Sequence, residues 1–395
     1  MKKMIFGLVA VLVLFGAVVT YTHWDNAAAP VAVAASPTAA PVETPTVHTL
    51  DYDAIRAVYP ADTAAITLAD EVMNWDLYAD WLRTNGLQYE DYFRQMGAYY
   101  GVAADWAGSM GDGTGKNYAQ GLLQETNESL ASFMAIKAMA KEKGLSLSEE
   151  QQKNLDPENM AHQILGEKAT VADLAAELEN TSRMTVRAFR YYSEALDLYT
   201  LLYTELYGAQ GEKLPEADIV KALEDQGYLS AHHILFMTID PMTGKNLEEA
   251  EVAAKLQQAN DLVKELRAIE DHDELLKRFR ELKDQYCEDT GKTAYPDGYT
   301  FTPGTMVPVF EDTLKAQQPF EISDPVQSEY GFHIIMRLPL GAESLLFSPQ
   351  GTPQIARIAV AQERITKDLD EYYAAHPPVY AEGLEELDLT QYIVE

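Results

Sequence analysis

Between Val186 and Leu206 apolar side chains return every three or four residues, at Val186, Phe189, Tyr192, Leu196, Tyr199, Tyr203 and Leu206. That spacing predicts one long amphipathic helix, ended by Gly208. Helical spacing also fills YAQGLLQETNESLASFMAIKAMAKEKG (118–144), which closes on a lysine-rich turn and a glycine. Ser148 and Gln151 then stand at capping-box spacing, and Pro215 suits the first turn of a helix through PEADIVKALEDQG. Residues 48–225 therefore read as a helical module. The texture changes at Tyr228, where YLSAHHILFMTI reads as a buried strand. Acidic helices around 246–268 and 272–286 follow, then a Gly- and Pro-rich segment, a short helix around VPVFEDTLKAQ, and a second strand-like run, GFHIIMRLPL (331–340). Strands at both ends with helices between predict a compact α+β domain over 226–341. Helical spacing returns at Ile355, Ile358, Ala359, Gln362, Ile365, Leu369 and Tyr372. So short a helix does not fold alone, so residues 342–395 are expected to pack back on the helical module.

Ahead of these elements, residues 4–24 carry no charge, with Lys2 and Lys3 before them and Asp25 after. About 20 apolar residues match a membrane-spanning helix. The lysines would stay inside, placing the main body outside the membrane as a single-pass protein. The alternative is a long signal peptide cut near Ala27–Ala29, with secretion of the rest. Residues 1–25 thus read as anchor or signal. Residues 26–47, rich in Ala and Pro, read as an extended, semi-rigid linker.

Composition narrows the partners. Asp and Glu number 62 against 30 Lys and Arg, a net charge of −32, which excludes the basic footprint a nucleic acid needs. The single cysteine, Cys287, rules out an internal disulfide. Its neighbours Glu288 and Asp289 are expected to raise its pKa and keep it an inert thiol.

The two strand-like runs carry the chemistry. SAHHILF, DQYCED (284–289), MVPVFED (306–312) and ISDPVQSEYGFHIIMRL (322–338) resemble the parvulin family of peptidyl-prolyl isomerases. The resemblance covers about residues 226–341. The surrounding organisation resembles extracytoplasmic foldases of the PrsA and SurA type. It implies a parvulin-like domain, a small antiparallel sheet with surrounding helices, inserted in a mainly helical chaperone-like module behind an N-terminal transmembrane helix. Implied catalytic residues are His233, Asp289, Ser328 and His333, with the histidines bonded to each other. Met306 and Phe310 match the apolar wall that receives the proline ring. His232, one residue along the strand, is expected on the other sheet face.

The chain departs from the family at Tyr295-Pro296-Asp297-Gly298-Tyr299-Thr300-Phe301, where a common leucine becomes Gly298. That thins one wall of the pocket, and Tyr299 is the candidate to fill it as a substrate-binding residue. The resemblance implies an isomerase that needs no cofactor and no metal, acting on unfolded or partly folded exported polypeptides with X-Pro bonds. The alternative is a holdase chaperone whose parvulin domain is weak or inactive. A core histidine, a loop acid and ordinary core tyrosines are the plainer readings of the same residues.

Overall fold

The computed structural model describes residues 47–100, 105–348 and 352–394. The expected anchor (4–24) and nearly all of the expected linker lie outside the described residues. Among the described residues no helix is long and apolar enough to cross a membrane. In chain order the strands are β1 (Thr49–Leu50), β2 (Ala64–Leu68), β3 (Glu71–Asn74), β4 (Leu229–Met237), β5 (Tyr299–Phe301) and β6 (Val326–Gln327). They continue with β7 (Gly331–Arg337), β8 (Leu345–Leu346), β9 (Gln354–Ile355), β10 (Val379–Tyr380) and β11 (Ile393–Val394). The chain divides into two compact units: Met1–Leu202 with Thr366–Glu395, and Tyr203–Ile365.

The first unit is mainly helical, but not wholly so. β2 and β3 form an antiparallel hairpin, and β10 adds to β2 with Val379 opposite Thr67 and Tyr380 opposite Ile66. β1 pairs with β11 through Thr49 opposite Val394 and Leu50 opposite Ile393. Reading 48–225 as helical missed these strands because five- or two-residue apolar runs carry no usable period. The long helices do follow their sequence signals. Helix Tyr118–Glu142 starts on an Asn117/Gln120 capping box, and Ser148 with Gln151 caps Glu149–Asn154 as its spacing predicts. Trp75, Tyr78, Trp81 and Phe93 of helix Trp75–Tyr100 are all fully buried, as is Trp106 ahead of helix Tyr118–Glu142, so aromatic residues build the core.

A charged cluster pins this core at its edge. Asp80, 3 % exposed, accepts from Thr185 Oγ1 at 3.0 Å and from Arg187 Nε and Nη2 at 2.9 and 2.6 Å, and pairs with Arg56. Glu90, equally hidden on the same helix, accepts from the backbone N–H of Leu50 at 3.0 Å and from the Tyr52 hydroxyl at 2.9 Å. These two carboxylates tie the start of the described chain to helix Trp75–Tyr100.

In the second unit the six strands run in the order β6-β7-β4-β5-β8-β9. The sheet is not purely antiparallel, because β5 and β8 pair parallel through Thr300 and Leu346. Helices Glu249–Arg267 and His272–Tyr286 cover one face, where Ile234, Phe236, Ile334 and Met336 meet Leu262, Leu266, Phe279 and Leu282. Helix Pro308–Ala316 covers the other, where Ala231, Tyr299, Phe301 and Ile335 meet Phe310 and Leu314. Both faces are buried, which is why β4 and β7 read as continuous apolar runs.

The three described tryptophans (Trp75, Trp81 and Trp106) are all buried in the first unit, so their fluorescence reports its unfolding. Asp80→Ala strands Arg56, Arg187 and Thr185 and is expected to cost about 2–4 kcal/mol, toward the low side of a broken buried pair because both arginines are partly exposed. Urea unfolding followed at tryptophan reads this directly; an unchanged midpoint means the cluster contributes nothing.

Candidate functional site

The site is built on the pairing of β4 with β7, in register from Ala231 opposite Arg337 to Met237 opposite Gly331. Side chains alternate across a strand, so neighbouring histidines part company. His232 goes to the helical face and stacks on Phe279 at 5.5 Å between ring centroids, as expected from sequence. His233 goes to the opposite face, opposite Ile335, which brings it diagonally beside His333. The His233 and His333 rings meet edge to face at 5.5 Å, and Phe310 presents its ring to both at 5.4 and 5.7 Å.

The histidines are not bonded to each other, contrary to expectation. Each uses Nε2 on its own partner, and the buried Nδ1 of each has no hydrogen bond among the described residues. His233 Nε2 lies 3.1 Å from Asp289 Oδ2. His333 Nε2 lies 2.7 Å from Ser328 Oγ, which itself accepts the Tyr330 N–H at 3.1 Å. The hydroxyl has one proton to give, and both His333 Nε2 and the Gly331 carbonyl, at 3.5 Å, stand within its reach.

Asp289 is the hub. Its Oδ2 also accepts from the Tyr299 hydroxyl at 2.5 Å, and its Oδ1 from the Gly291 N–H at 2.9 Å, opening a short 3-10 turn. Burial pushes the carboxyl up, but the bonds from His233, Tyr299 and Gly291 outweigh it and hold Asp289 well below the usual carboxylate range. Burial lowers His233, yet Asp289 and Cys287 more than reverse this and leave its pKa raised. His333 has no such anion in contact, and burial, with the neighbouring His233, lowers it to about 3. The two histidines thus titrate far apart.

Cys287 corrects a second expectation. Burial raises its pKa, but the adjacent His233 outweighs burial and the net shift is downward, not upward. The thiol acts on His233 by proximity, without the geometry of a hydrogen bond to Nδ1, while its sulfur accepts from the Leu235 N–H at 3.3 Å.

All seven residues expected at the site fall on this one face of the second unit. Met306 is half-buried against the cluster that holds Phe310 and Tyr299. Tyr299 does more than fill a wall, because its hydroxyl is the closest donor to Asp289. Gly298 has its own reason: at φ +101° a Cβ there would stand 2.6 Å from the Ala231 carbonyl oxygen, so the chain passes β4 too closely for a side chain.

Two buried charges were missed. Lys283, 1 % exposed, donates to the carbonyls of Tyr295 and Pro296 at 2.7 and 3.1 Å and so holds the loop that delivers Tyr299. In sequence it looks like one more cation on a helix of mixed charge. Glu311 accepts from the N–H groups of Gly304 and Met306 at 2.8 and 3.0 Å, fixing the turn that carries Met306. Its signal was available: an acid in the first turn of a helix opened by Pro308.

Two measurements test this electrostatic account. Tyr299→Phe removes one of three donors, so the Asp289 carboxyl resonance in NMR should titrate higher than in the wild type; an unmoved midpoint denies the bond. His232 is lowered to about 3 by burial, with neither ring nitrogen bonded among the described residues. Its contribution to stability is present above its unfolded value and lost as pH falls from 6.5 toward 3, at about 1.4 kcal/mol per pH unit. His333 adds a similar slope, whereas the raised pKa of His233 changes stability only above 6.5. His232→Phe should therefore remove about half of the histidine-derived loss below pH 6, read by urea titrations followed at β4 amides; an unaltered slope rejects the assignment.

Residues 233–338 match the family described as rotamase, PPIC-type PPIase domain. The foldase protein PrsA of Oceanobacillus iheyensis is 33% identical over 141 residues, 35% of this chain and 39% of that protein. The chaperone SurA of Chromohalobacter salexigens is 38% identical over 80 residues, 20% of this chain and 18% of that one. The chain thus spans less than two thirds of the length of either relative. The crystal structure of a peptidylprolyl isomerase (PrsA) from Bacillus cereus aligns with 72% of this chain and 98% of its own at 16% identity, but its TM-score of 0.28 adds nothing to the assignment. Residues 233–338 thus match a PPIC-type PPIase domain, in a chain similar over part of its length to PrsA and SurA.

Proposed function

We propose that the chain is an extracytoplasmic peptidyl-prolyl isomerase and foldase that assists exported polypeptides containing X-Pro bonds. One observation carries this reading: two hydrogen-bonded sets, Tyr299–Asp289–His233 and Ser328–His333, meet through their imidazole rings against the apolar Phe310. No covalent bond changes in the reaction; the barrier of about 18–20 kcal/mol is amide resonance lost on rotation. An enzyme lowers it by binding the twisted amide more tightly than either planar form. Phe310 and Met306 would grip the proline ring. The ionised Asp289, His233 and His333 supply a fixed field beside the carbonyl as it leaves conjugation, with no reorganisation at the moment of rotation. None of this calls for a cofactor.

The apolar run 4–24 behind Lys2 and Lys3 supports a membrane tether with the acidic body outside. One observation favours the holdase alternative: both oxygens of Asp289 are already committed to protein donors, leaving its charge but little of its hydrogen-bonding capacity for a client.

NMR exchange spectroscopy of X-Pro peptides with the full chain separates the two. Catalysis should fall about tenfold or more in Asp289→Asn and in His233→Ala, and persist in His232→Phe. No acceleration by the wild-type chain leaves the holdase reading standing.

A further inference from the structure

Helix His272–Tyr286 turns one lysine inward. Lys283 is 1 % exposed, and its Nζ donates to the carbonyls of Tyr295 and Pro296 at 2.7 and 3.1 Å. It makes no ion pair among the described residues: Asp297, the acid of the same loop, pairs with Arg280 Nη2 at 2.9 Å instead. Burial lowers the ammonium's pKa, so an apolar side chain would occupy the position at less cost. The turn does not need the lysine to close, because the Tyr295 carbonyl also accepts the Gly298 N–H at 3.2 Å. What the ammonium adds is a tie between that turn and the helix that leads into Asp289.

The far end of the tie is Tyr299. This residue opens β5 just beyond Pro296, and the Lys283 ammonium lies over its ring, 6.0 Å from the centroid. Tyr295 flanks the same ring at 4.7 Å and Phe347 at 5.7 Å. At its tip the hydroxyl enters a notch without a side chain, since a Cβ on Gly291 would stand 2.2 Å from it. The oxygen thereby reaches Asp289 Oδ2 at 2.5 Å, while the Gly291 N–H holds Oδ1. A hydroxyl at the end of a rigid ring is placed only as well as the backbone that carries the ring. Lys283 fixes that backbone at the two carbonyls ahead of it.

We propose that Lys283 is a positioning residue for the isomerase: through the Tyr295 and Pro296 carbonyls it sets the Tyr299 hydroxyl against Asp289, and turnover depends on that placement. This role rests on the isomerase reading above and adds to it a residue that never touches the client.

A double-mutant cycle tests it, with Lys283→Met, Tyr299→Phe and the pair compared in the full chain. The readouts are NMR exchange of X-Pro peptides and the titration midpoint of the Asp289 carboxyl. Lys283→Met should slow catalysed exchange about tenfold and raise the midpoint. In the Tyr299→Phe background the same change should cost no more than about twofold further and barely move the midpoint, because its target is already gone. Lys277→Met removes an exposed ammonium from the same helix and should leave exchange within about twofold. Amide signals of β4 verify that the sheet is folded; where Lys283→Met fails to fold, Lys283→Gln, which keeps a donor for one carbonyl, carries the same cycle. Losses that multiply in the pair, an equal midpoint shift with and without the Tyr299 hydroxyl, or exchange in Lys283→Met within about twofold of wild type overturn the positioning role. A wild-type chain that accelerates no peptide overturns the isomerase reading and the role together, whereas catalysis indifferent to Lys283 overturns the role alone.

Discussion

The antiparallel register of β4 with β7 is the constraint on which the histidine site depends. A slip of one residue would send His233 to the helical face and His232 to the site, because side-chain direction repeats every two residues. The register is held from both sides at once. Ile234, Phe236, Ile334 and Met336 are locked under two helices, while Ala231 and Ile335 are locked under a third. Burial on both faces leaves no alternative pairing that keeps the apolar set covered. The diagonal approach of His233 to His333 then follows without any bond between them.

Around that pair the polar groups form a graded arrangement. Asp289 is saturated by three donors, His333 is kept neutral by burial, and His233 stands between an anion and a neutral ring. Supporting groups act one step removed. Lys283 holds two carbonyls of the loop before Tyr299, and Glu311 holds two N–H groups of the turn before helix Pro308–Ala316. Each is a buried charge with its hydrogen bonds made, the condition under which such a group fixes a loop rather than destabilising it.

Much of this was legible in sequence, and the boundary of legibility is physical. Strand direction separated His232 from His233, and helix signals at Ser148 and Gly144 need only local chemistry. Ser328 as a support for the histidines came from the family resemblance alone. Tyr299 was placed at the site but not given its bond, because a hydroxyl ten residues from a carboxylate announces nothing locally. Lys283 could not be told from its exposed neighbours, as its burial is decided by a loop a dozen residues away. The short strands β2, β3, β10 and β11 escaped because their partners lie hundreds of residues distant or their runs are too brief to show a period.

That long-range pairing bears on how the molecule comes into being. A chain emerging from its N-terminus has every strand of the six-stranded sheet available once residue 355 has appeared. The first unit must wait: β2 lacks its outer neighbour until residues 379–380 arrive, and β1 has no partner before residues 393–394. The portion begun first is therefore completed last, with β1 unpaired and one edge of β2 open during the intervening synthesis. The isomerase domain is the piece that can finish while the remainder is still being delivered.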